Sequence, residues 1–206
     1  MRNAGSLILF TAALACIAIS AAAQPAVESE SFRSLSDSLG VYEADGSSIA
    51  TAARIAGVRD YLEHDIQEIF QNARVGMSEY RFRLPNGRYR VHMYFAEIEK
   101  SAVGERVFSV KLQGEPVVEG LDLFAEVGAN HAYQVISGYV QVSDGQLSLE
   151  FEAIAGEPLL SAISIDGEIA EVPPNHIPAF FQHMNCGGPN FHGFRPDFGF
   201  DARPPG

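Results

Sequence analysis

The chain has 206 residues, a formal net charge of −12 and no tryptophan. A surface with this excess of acidic groups repels phosphate backbones and anionic lipids, which argues against a nucleic-acid-binding protein and against a protein that binds anionic membranes. Once the predicted export signal described below is removed, roughly 180 residues remain, a length that suits one domain with a complete hydrophobic core.

The N-terminal residues 1–23 have the organisation of a signal peptide. Arg2 supplies a positive charge, residues 7–19 form an apolar run, and the small residues 21–23 resemble a signal peptidase site. The apolar run is shorter than the roughly 20 residues that a membrane-spanning helix needs. The sequence therefore predicts a cleaved signal and a secreted or extracytoplasmic protein. A retained N-terminal anchor and a lipoprotein attached through Cys16 are the alternatives.

The segment after the signal, residues 24–48, is rich in Ser, Asp and Gly and predicts a poorly defined loop region with one strand near Val41 and Tyr42. One short helix is predicted near residues 61–70, lying across the edge of the sheets that follow. Its apolar positions recur at i, i+4, i+7 and i+8, which gives a helix one apolar face. These positions are Leu62, Ile66, Ile69 and Phe70.

From residue 80 onward, apolar and polar residues alternate in several short runs, as in antiparallel strands with one buried face. Asn86-Gly87 and Asp144-Gly145 predict hairpin turns between these runs, and Asp166-Gly167 predicts a further turn. Strands at this spacing predict an all-β fold, a β-sandwich of jelly-roll type, over residues 49–167. The proline-containing residues 168–183 are predicted to be a linker. The apolar positions are Tyr80, Phe82, Leu84, Tyr89, Val91, Met93, Phe95, Phe108, Val110, Leu112, Leu147, Leu149 and Phe151.

Three motifs connect this predicted sandwich to a known family. Residues 80–98 contain a proline turn, a G-x-Y-x-V strand and an F-A-E triplet. Residues 104–128 contain a second set of matches. The third motif is Asn-Cys-Gly-Gly-Pro at residues 185–189. Together they resemble the malectin family. The resemblance implies a galactose-binding-like sandwich that binds carbohydrate, such as glucose-containing oligosaccharides, without catalysis and without a cofactor.

The order of these motifs differs from that of the family, in which the Asn-Cys-Gly-Gly-Pro motif begins the domain. Here the motif lies near the C-terminus. One interpretation is a circular permutation, in which residues 184–206 complete the same sandwich; the other is a truncated second domain. Permutation is favoured because the termini of a compact domain are often close together. A sandwich that lacks an edge strand would also expose unpaired backbone.

The resemblance also implies a sugar site. Such sites stack an aromatic ring on the apolar face of a sugar and satisfy its hydroxyl groups with carboxylates, amides or arginine. The residues of this chain that fall at matching positions, or that replace them, are Arg74, Tyr80, Glu157 and Phe191. Phe194 is a further candidate from the phenylalanine-rich C-terminal segment, most of whose rings are expected to belong to the core. The alternative is a structural or protein-interaction domain that kept the fold and lost the sugar site, with a cell-surface or extracellular protein as its partner.

An enzyme is the third hypothesis, because Glu97 and Glu99 are two residues apart and fall on one face of a strand. Most glycoside hydrolases use such a pair of carboxylates. A solvated or hydrogen-bonded pair is favoured instead, since adjacent carboxylates are common in an acidic protein.

The histidines and the cysteine near the C-terminus suggest no metal site. His183, Cys186 and His192 are of the residue types that bind zinc, but their spacing fits no common zinc pattern. After the signal is removed, Cys186 is the only cysteine that remains, so an intramolecular disulfide is excluded. Burial of its side chain is favoured over pairing between molecules, because cysteine is among the most buried residue types.

Overall fold

The computed structural model describes residues 40–58, 67–170, 179–189 and 194–196. In these residues the secondary structure consists mostly of strands, which confirms the predicted all-β sandwich. The strands are β1 (Gly40–Ala44), β2 (Ser47–Ala50), β3 (Asn72–Val75), β4 (Glu79–Arg83), β5 (Gly87–Ala96), β6 (Val107–Leu112), β7 (Glu115–Leu121), β8 (Ala132–Ile136), β9 (Val140–Val142), β10 (Gln146–Ala155), β11 (Leu159–Leu160), β12 (Ala162–Ile169), β13 (Ala179–Asn185) and β14 (Arg195–Pro196).

Two main sheets enclose the core. One has the strand order β1-β4-β10-β6-β7, and the other has the order β14-β13-β12-β5-β8, with β9 also paired to β5. A small sheet, β11-β3-β2, closes one side. The side chains between the sheets come from the alternating apolar positions, because every second residue of a strand points to the same face. They include Tyr80, Phe82, Tyr89, Val91, Met93, Phe95, Phe108, Val110, Leu147, Leu149, Ile163 and Ile165.

The two turns predicted as hairpins instead connect one main sheet to the other. Strand β4 pairs with β1 and β10, whereas β5, which follows the Asn86-Gly87 turn, pairs with β12, β8 and β9. The Asp144-Gly145 turn likewise leads from β9 to β10 in the opposite sheet. The two turns are joined by hydrogen bonds. Gly145 N donates to Asn86 Oδ1 at 2.8 Å, and Leu84 N donates to Gly145 O at 3.0 Å. Hairpin pairing was therefore the wrong prediction for both turns.

Asp166-Gly167 does not form a turn either, because both residues lie inside β12. Gly167 pairs with Tyr89 of β5, and a Cβ atom at this glycine would clash with the carbonyl oxygen of Arg88 and would lie 2.6 Å from Cδ1 of the Tyr89 ring. The glycine is thus required by the close approach of the β5 backbone and of the tyrosine ring. Its position in the middle of the strand leaves Asp166 on the opposite face of the sheet.

Two short helices interrupt the strands in the described part of the chain. Helix α1 (Gln67–Phe70) is the described part of the predicted helix, and it buries Ile69 and Phe70; residues 61–66 lie outside the described residues. Helix α2 (Leu123–Val127) was not predicted. Its N-cap is Asp122, whose side chain accepts a hydrogen bond from Ala125 N at 3.0 Å, as a capping carboxylate does. No helix among the described ranges is long and apolar enough to cross a bilayer.

The predicted domain boundaries differ from the observed strands at both ends. Strands β1 and β2 lie wholly or partly within residues 24–48, and β1 matches the strand predicted near Val41. Strand β13 pairs antiparallel with β12 from Glu168↔Ala179 to Ala162↔Asn185, so residues 179–183 belong to the sheet and not to a linker. The alternation in β13 was hard to recognise because Gln182, a polar residue, precedes the buried Met184 on the same side of the strand. Cys186 is buried in the core, as predicted.

Candidate functional site

The structure places Tyr80, the aromatic residue of the predicted sugar site, in the core. Its side chain has an exposed fraction of 0 %. The ring stacks on Phe82 with centroids 6.1 Å apart, and Phe151 contacts it edge-on at 6.1 Å. A fully buried ring offers no face to a sugar, so in this structure Tyr80 stabilises the fold and does not line a site.

Of the other predicted site residues that the structure describes, Arg74 and Glu157 do not line the cavity to which Phe194 belongs. Arg74 is buried on β3, where its Nη1 donates to Gly46 O at 3.4 Å. Glu157 is exposed just before β11, the neighbour of β3 in the small sheet. Phe194 lies against Tyr94 of β5, in the main sheet that also contains β12 and β13. Phe191 falls outside the described residues.

Glu97 and Glu99, the candidate enzyme pair, both bind Arg106. Arg106 Nε lies 2.7 Å from Glu97 Oε2, and Nη2 lies 2.8 Å from Glu99 Oε2. Burial acts to raise the pKa of Glu99, but its contacts with Lys100 and Arg106 outweigh this and lower the pKa below its ordinary value. Nη1 of the same arginine donates to the Glu157 carbonyl oxygen at 2.5 Å. Two carboxylates that share one guanidinium in this way support the hydrogen-bonded interpretation of the pair.

Two of the three residues considered for a metal site, His183 and Cys186, lie on different sides of the sheet. His183 Nδ1 lies 2.8 Å from Ser164 Oγ on the outer face of the sheet, whereas Cys186 belongs to the core and its backbone N donates to Ser161 O. His192 lies outside the described residues. Within the described ranges, no group of three or more His, Cys, Asp and Glu side chains is placed to hold a metal ion.

A groove of about 330 Å³ crosses the outer face of one main sheet, the six-stranded sheet formed by β14, β13, β12, β5, β8 and β9. The strand register creates it, because outward-facing residues of β5, β8, β12 and β13 lie directly opposite one another. Ser164 lies between His92 and His183, and Asp166 lies between Arg90 and Phe181. The residues that line the groove are Arg90, His92, Tyr94, Gln134, Ile136, Ser164, Asp166, Phe181, His183 and Phe194.

The polar side chains of the groove hold one another in place. Asp166 Oδ1 lies 2.7 Å from His92 Nε2, and Asp166 Oδ2 accepts from Arg90 Nη2 at 3.2 Å. Gln134 Nε2 lies 3.4 Å from His92 Nδ1. Burial, together with the nearby charge of His92, lowers the pKa of His183, and the opposing effect of Asp166 is smaller. His183 is therefore neutral at neutral pH, and the groove presents fixed donors and acceptors.

Apolar side chains stand beside this polar network. Phe181 is 69 % exposed, and Ile136 is also exposed. Near the same face, the guanidinium of Arg90 lies over the ring of the exposed Tyr139, 5.4 Å from the ring centroid. Phe194 is buried beneath the groove, 5.1 Å from the His183 ring. An exposed aromatic ring beside ordered polar groups is an arrangement that suits a ligand with both apolar faces and hydroxyl groups.

Sequence reasoning included only Phe194 of these groove residues among its site residues. The alternation did place Arg90 and His92 on the outer face of β5. Their partners were missed because Asp166 was assigned to a turn and Phe181 to a linker. Both errors concern residues whose role depends on pairing with a distant strand.

Comparisons with known proteins show which family model the chain matches and which proteins are similar to it. A family model described as a malectin domain matches residues 17–166. A kinesin-like protein of Arabidopsis thaliana is 34% identical over 126 residues, which are 59% of this chain and 12% of that protein. A malectin of Danio rerio is 27% identical over 124 residues, 52% of this chain and 44% of that protein. The chain thus spans less than half the length of both relatives.

Among solved structures, a β-glucuronidase of Bacteroides uniformis is similar to part of this chain, with a TM-score of 0.53 and 24% sequence identity. The similar region covers 62% of this chain and 14% of the enzyme. A likeness at this identity concerns the fold of that region alone.

Proposed function

Because the chain belongs to the malectin domain family, which is known for carbohydrate binding, we propose that it binds an oligosaccharide in the groove on the outer face of the six-stranded sheet. One observation carries the proposal: the hydrogen-bonded set of Asp166, His92 and Arg90 lies beside the exposed ring of Phe181. Glucose-containing oligosaccharides are the first ligands to test. The predicted signal in residues 1–23 supports a location outside the cytoplasm.

The chemistry of the groove matches that of a neutral sugar. The C–H face of a pyranose packs on an aromatic ring such as Phe181, while its hydroxyl groups both donate and accept hydrogen bonds. Asp166 supplies an acceptor, and Arg90 supplies donors. Their charges offset each other, which favours an uncharged ligand over a uronic or sialic acid. Because these side chains are already held by one another, binding costs little side-chain ordering.

The groove supports binding without catalysis. Among the described residues that line it, Asp166 is the only carboxylate, and Arg90 and His92 both bind it. Glycoside hydrolases of most families need two carboxylates, one of them free to protonate the leaving group. A single ion-paired carboxylate does not supply this pair, so we assign the groove to recognition.

The test is a glycan array followed by calorimetric titration of the secreted protein. Phe181→Ala is the key variant, and Ile154→Ala is its matched control, because Ile154 is also exposed but lies on β10 of the other sheet. We expect the wild type and Ile154→Ala to bind equally. Phe181→Ala should bind roughly tenfold more weakly, a change of about 1.4 kcal/mol, with an unchanged melting temperature. Equal binding by all three proteins would refute the placement of the site.

A second candidate function is protein recognition at the same face. The observation in its favour is that Ile136, Tyr139 and Phe181 are all exposed large apolar side chains, of the kind that marks interaction surfaces. A well-folded protein that binds no glycan on the array would favour this candidate over the lectin. Capture of an extracellular or cell-surface protein that depends on Phe181 would then support it.

A further inference from the structure

A second depression, of about 430 Å³, lies next to the groove on the same side of the sheet. Its lining includes Phe70, His131 and Tyr133, and it shares Tyr94 and Gln134 with the groove. The two depressions meet at these shared residues because Tyr94 of β5 and Gln134 of β8 lie directly opposite each other in the strand register.

An aromatic floor runs beneath both depressions. The Tyr94 ring contacts Phe70 edge-on, with centroids 6.0 Å apart, on the side of the second depression. It contacts Phe194 edge-on at 6.3 Å on the side of the groove. All three rings are buried or nearly so. Their packing fixes the floor rigidly, and the shared residues at the boundary form part of both linings.

The second depression has polar groups of its own. His131 is exposed, and its Nδ1 lies 2.9 Å from the carbonyl oxygen of Ala129. A carbonyl oxygen only accepts, so Nδ1 donates in this contact, and the other ring nitrogen, Nε2, can form a hydrogen bond with a hydroxyl group, which both donates and accepts. The half-buried Tyr133 also belongs to this lining, although its side chain packs against the core between the sheets, so Phe70 and Tyr94 supply the aromatic carbon of the second depression. Aromatic carbon and hydroxyl-binding groups therefore occur in both depressions.

We propose that the two depressions form one cleft, which holds an extended oligosaccharide with successive sugar units on either side of Tyr94 and Gln134. This inference rests on the proposed function and adds the length of the ligand to it. Each depression is within the range of roughly 300–1,000 Å³ that is typical of small-molecule sites. A disaccharide in the groove alone leaves the second depression unused, whereas a longer chain of the same sugar fills both.

The experiment is a calorimetric titration of the secreted protein with a di-, a tetra- and a hexasaccharide of the same sugar and linkage. We expect the affinity of the wild type to rise by roughly tenfold or more between the shortest and the longest ligand. His131→Ala should remove much of this gain without changing the affinity for the disaccharide. Glu126→Ala is the matched control, because this exposed residue of α2 lies near the second depression in sequence but is not part of its lining.

The other results separate the two proposals. Equal affinity for all three lengths would overturn the two-part cleft while the proposed sugar binding stands. A gain with length that neither His131→Ala nor Tyr133→Phe reduces would place the additional sugar units elsewhere and would also overturn it. If the folded wild-type protein binds none of the three ligands, the proposed binding of this sugar is refuted, and the two-part cleft with it.

Discussion

Arg106 and Glu97 form a buried ion pair, in which Nε lies 2.7 Å from Oε2 and each side chain is 1 % exposed. Glu97 follows the last residue of β5, and Arg106 precedes the first residue of β6. Because β5 and β6 belong to different sheets, the pair connects the two layers of the sandwich. Glu97 Oε1 also accepts hydrogen bonds from the backbone N atoms of Glu99 and Lys100, which satisfies the second oxygen of the carboxylate.

Removing one partner of this pair should be costly. We expect Arg106→Ala to lower the free energy of unfolding by about 3–5 kcal/mol, because Glu97 would stay buried without its countercharge. Lys111→Ala is the control, since it breaks an exposed ion pair with Glu152 and should cost less than about 1 kcal/mol. Urea denaturation measures both variants. A cost for Arg106→Ala no greater than that for Lys111→Ala would contradict this account.

Tyr80→Ala should destabilise the protein by about 3–5 kcal/mol, the range found when large aromatic residues are truncated in a core. The ring is fully buried between the layers and packs on Phe82 and Phe151. Thermal unfolding followed by circular dichroism measures the effect. A Tyr80→Ala protein as stable as the wild type would contradict the placement of this ring in the core. Loss of glycan binding in a destabilised Tyr80→Ala protein would not identify a site.

His183 should make the protein less stable as the pH falls from neutrality. Burial, helped by His92, lowers the folded-state pKa of His183, so the folded state binds this proton less readily than the unfolded state, whose pKa is near 6.5. The unfolded state therefore takes up more protons in this range, and the free energy of unfolding decreases as the pH falls through about 6.5. The charged and titratable groups that line the groove with His183 are Asp166, Arg90 and His92.

Urea denaturation at about pH 7.5 and about pH 5.5 tests this dependence. The carboxylates with lowered pKa values, Asp45 and Glu99, lose their contribution only at lower pH, since their ordinary values are 3.8 and 4.5. We expect the stability difference between the two pH values to be smaller in His183→Gln than in the wild type. The same difference in both proteins would show that other groups cause the dependence.

Gly187→Ala should destabilise the protein more than Gly104→Ala. Both glycines have a positive φ, +74° and +83°, so each substitution carries a backbone strain of about 1–2 kcal/mol. A Cβ at Gly187 would also lie 2.6 Å from the carbonyl oxygen of Ala73, whereas nothing lies within 4 Å of one at Gly104. Melting temperatures measure the difference. Equal melting temperatures of the two variants would contradict the close packing of Gly187 against Ala73 of β3.

The alternation of apolar residues predicted the strands and most of the core, because the period of two determines which face of a strand is buried. It did not predict which strands pair. The turns at Asn86-Gly87 and Asp144-Gly145 have the sequences of hairpin turns, yet each connects the two sheets. Local turn preferences do not determine the pairing partner of the next strand, which depends on contacts far apart in the chain.

The candidate site was harder to predict than the fold for the same reason. Asp166 contacts Arg90 and His92, residues that precede it by more than 70 positions. No local pattern marks such a contact. The family resemblance, in turn, selected Tyr80 by its place in a motif, and that position proved to belong to the core. A sequence motif common to a family indicates packing residues as readily as binding residues.

Strand β13 has a consequence for the synthesis of the protein. It supplies Phe181 and His183, one side of the groove, and it leaves the ribosome after β5, β8 and β12. Translation proceeds at about 5–20 residues per second, so β13 is synthesised only after the strands with which it shares a sheet. A chain that stops before residue 179 lacks this side of the groove, however much of its sandwich has formed. On the proposed function, we therefore expect retention on an immobilised glycan to separate finished molecules from unfinished ones.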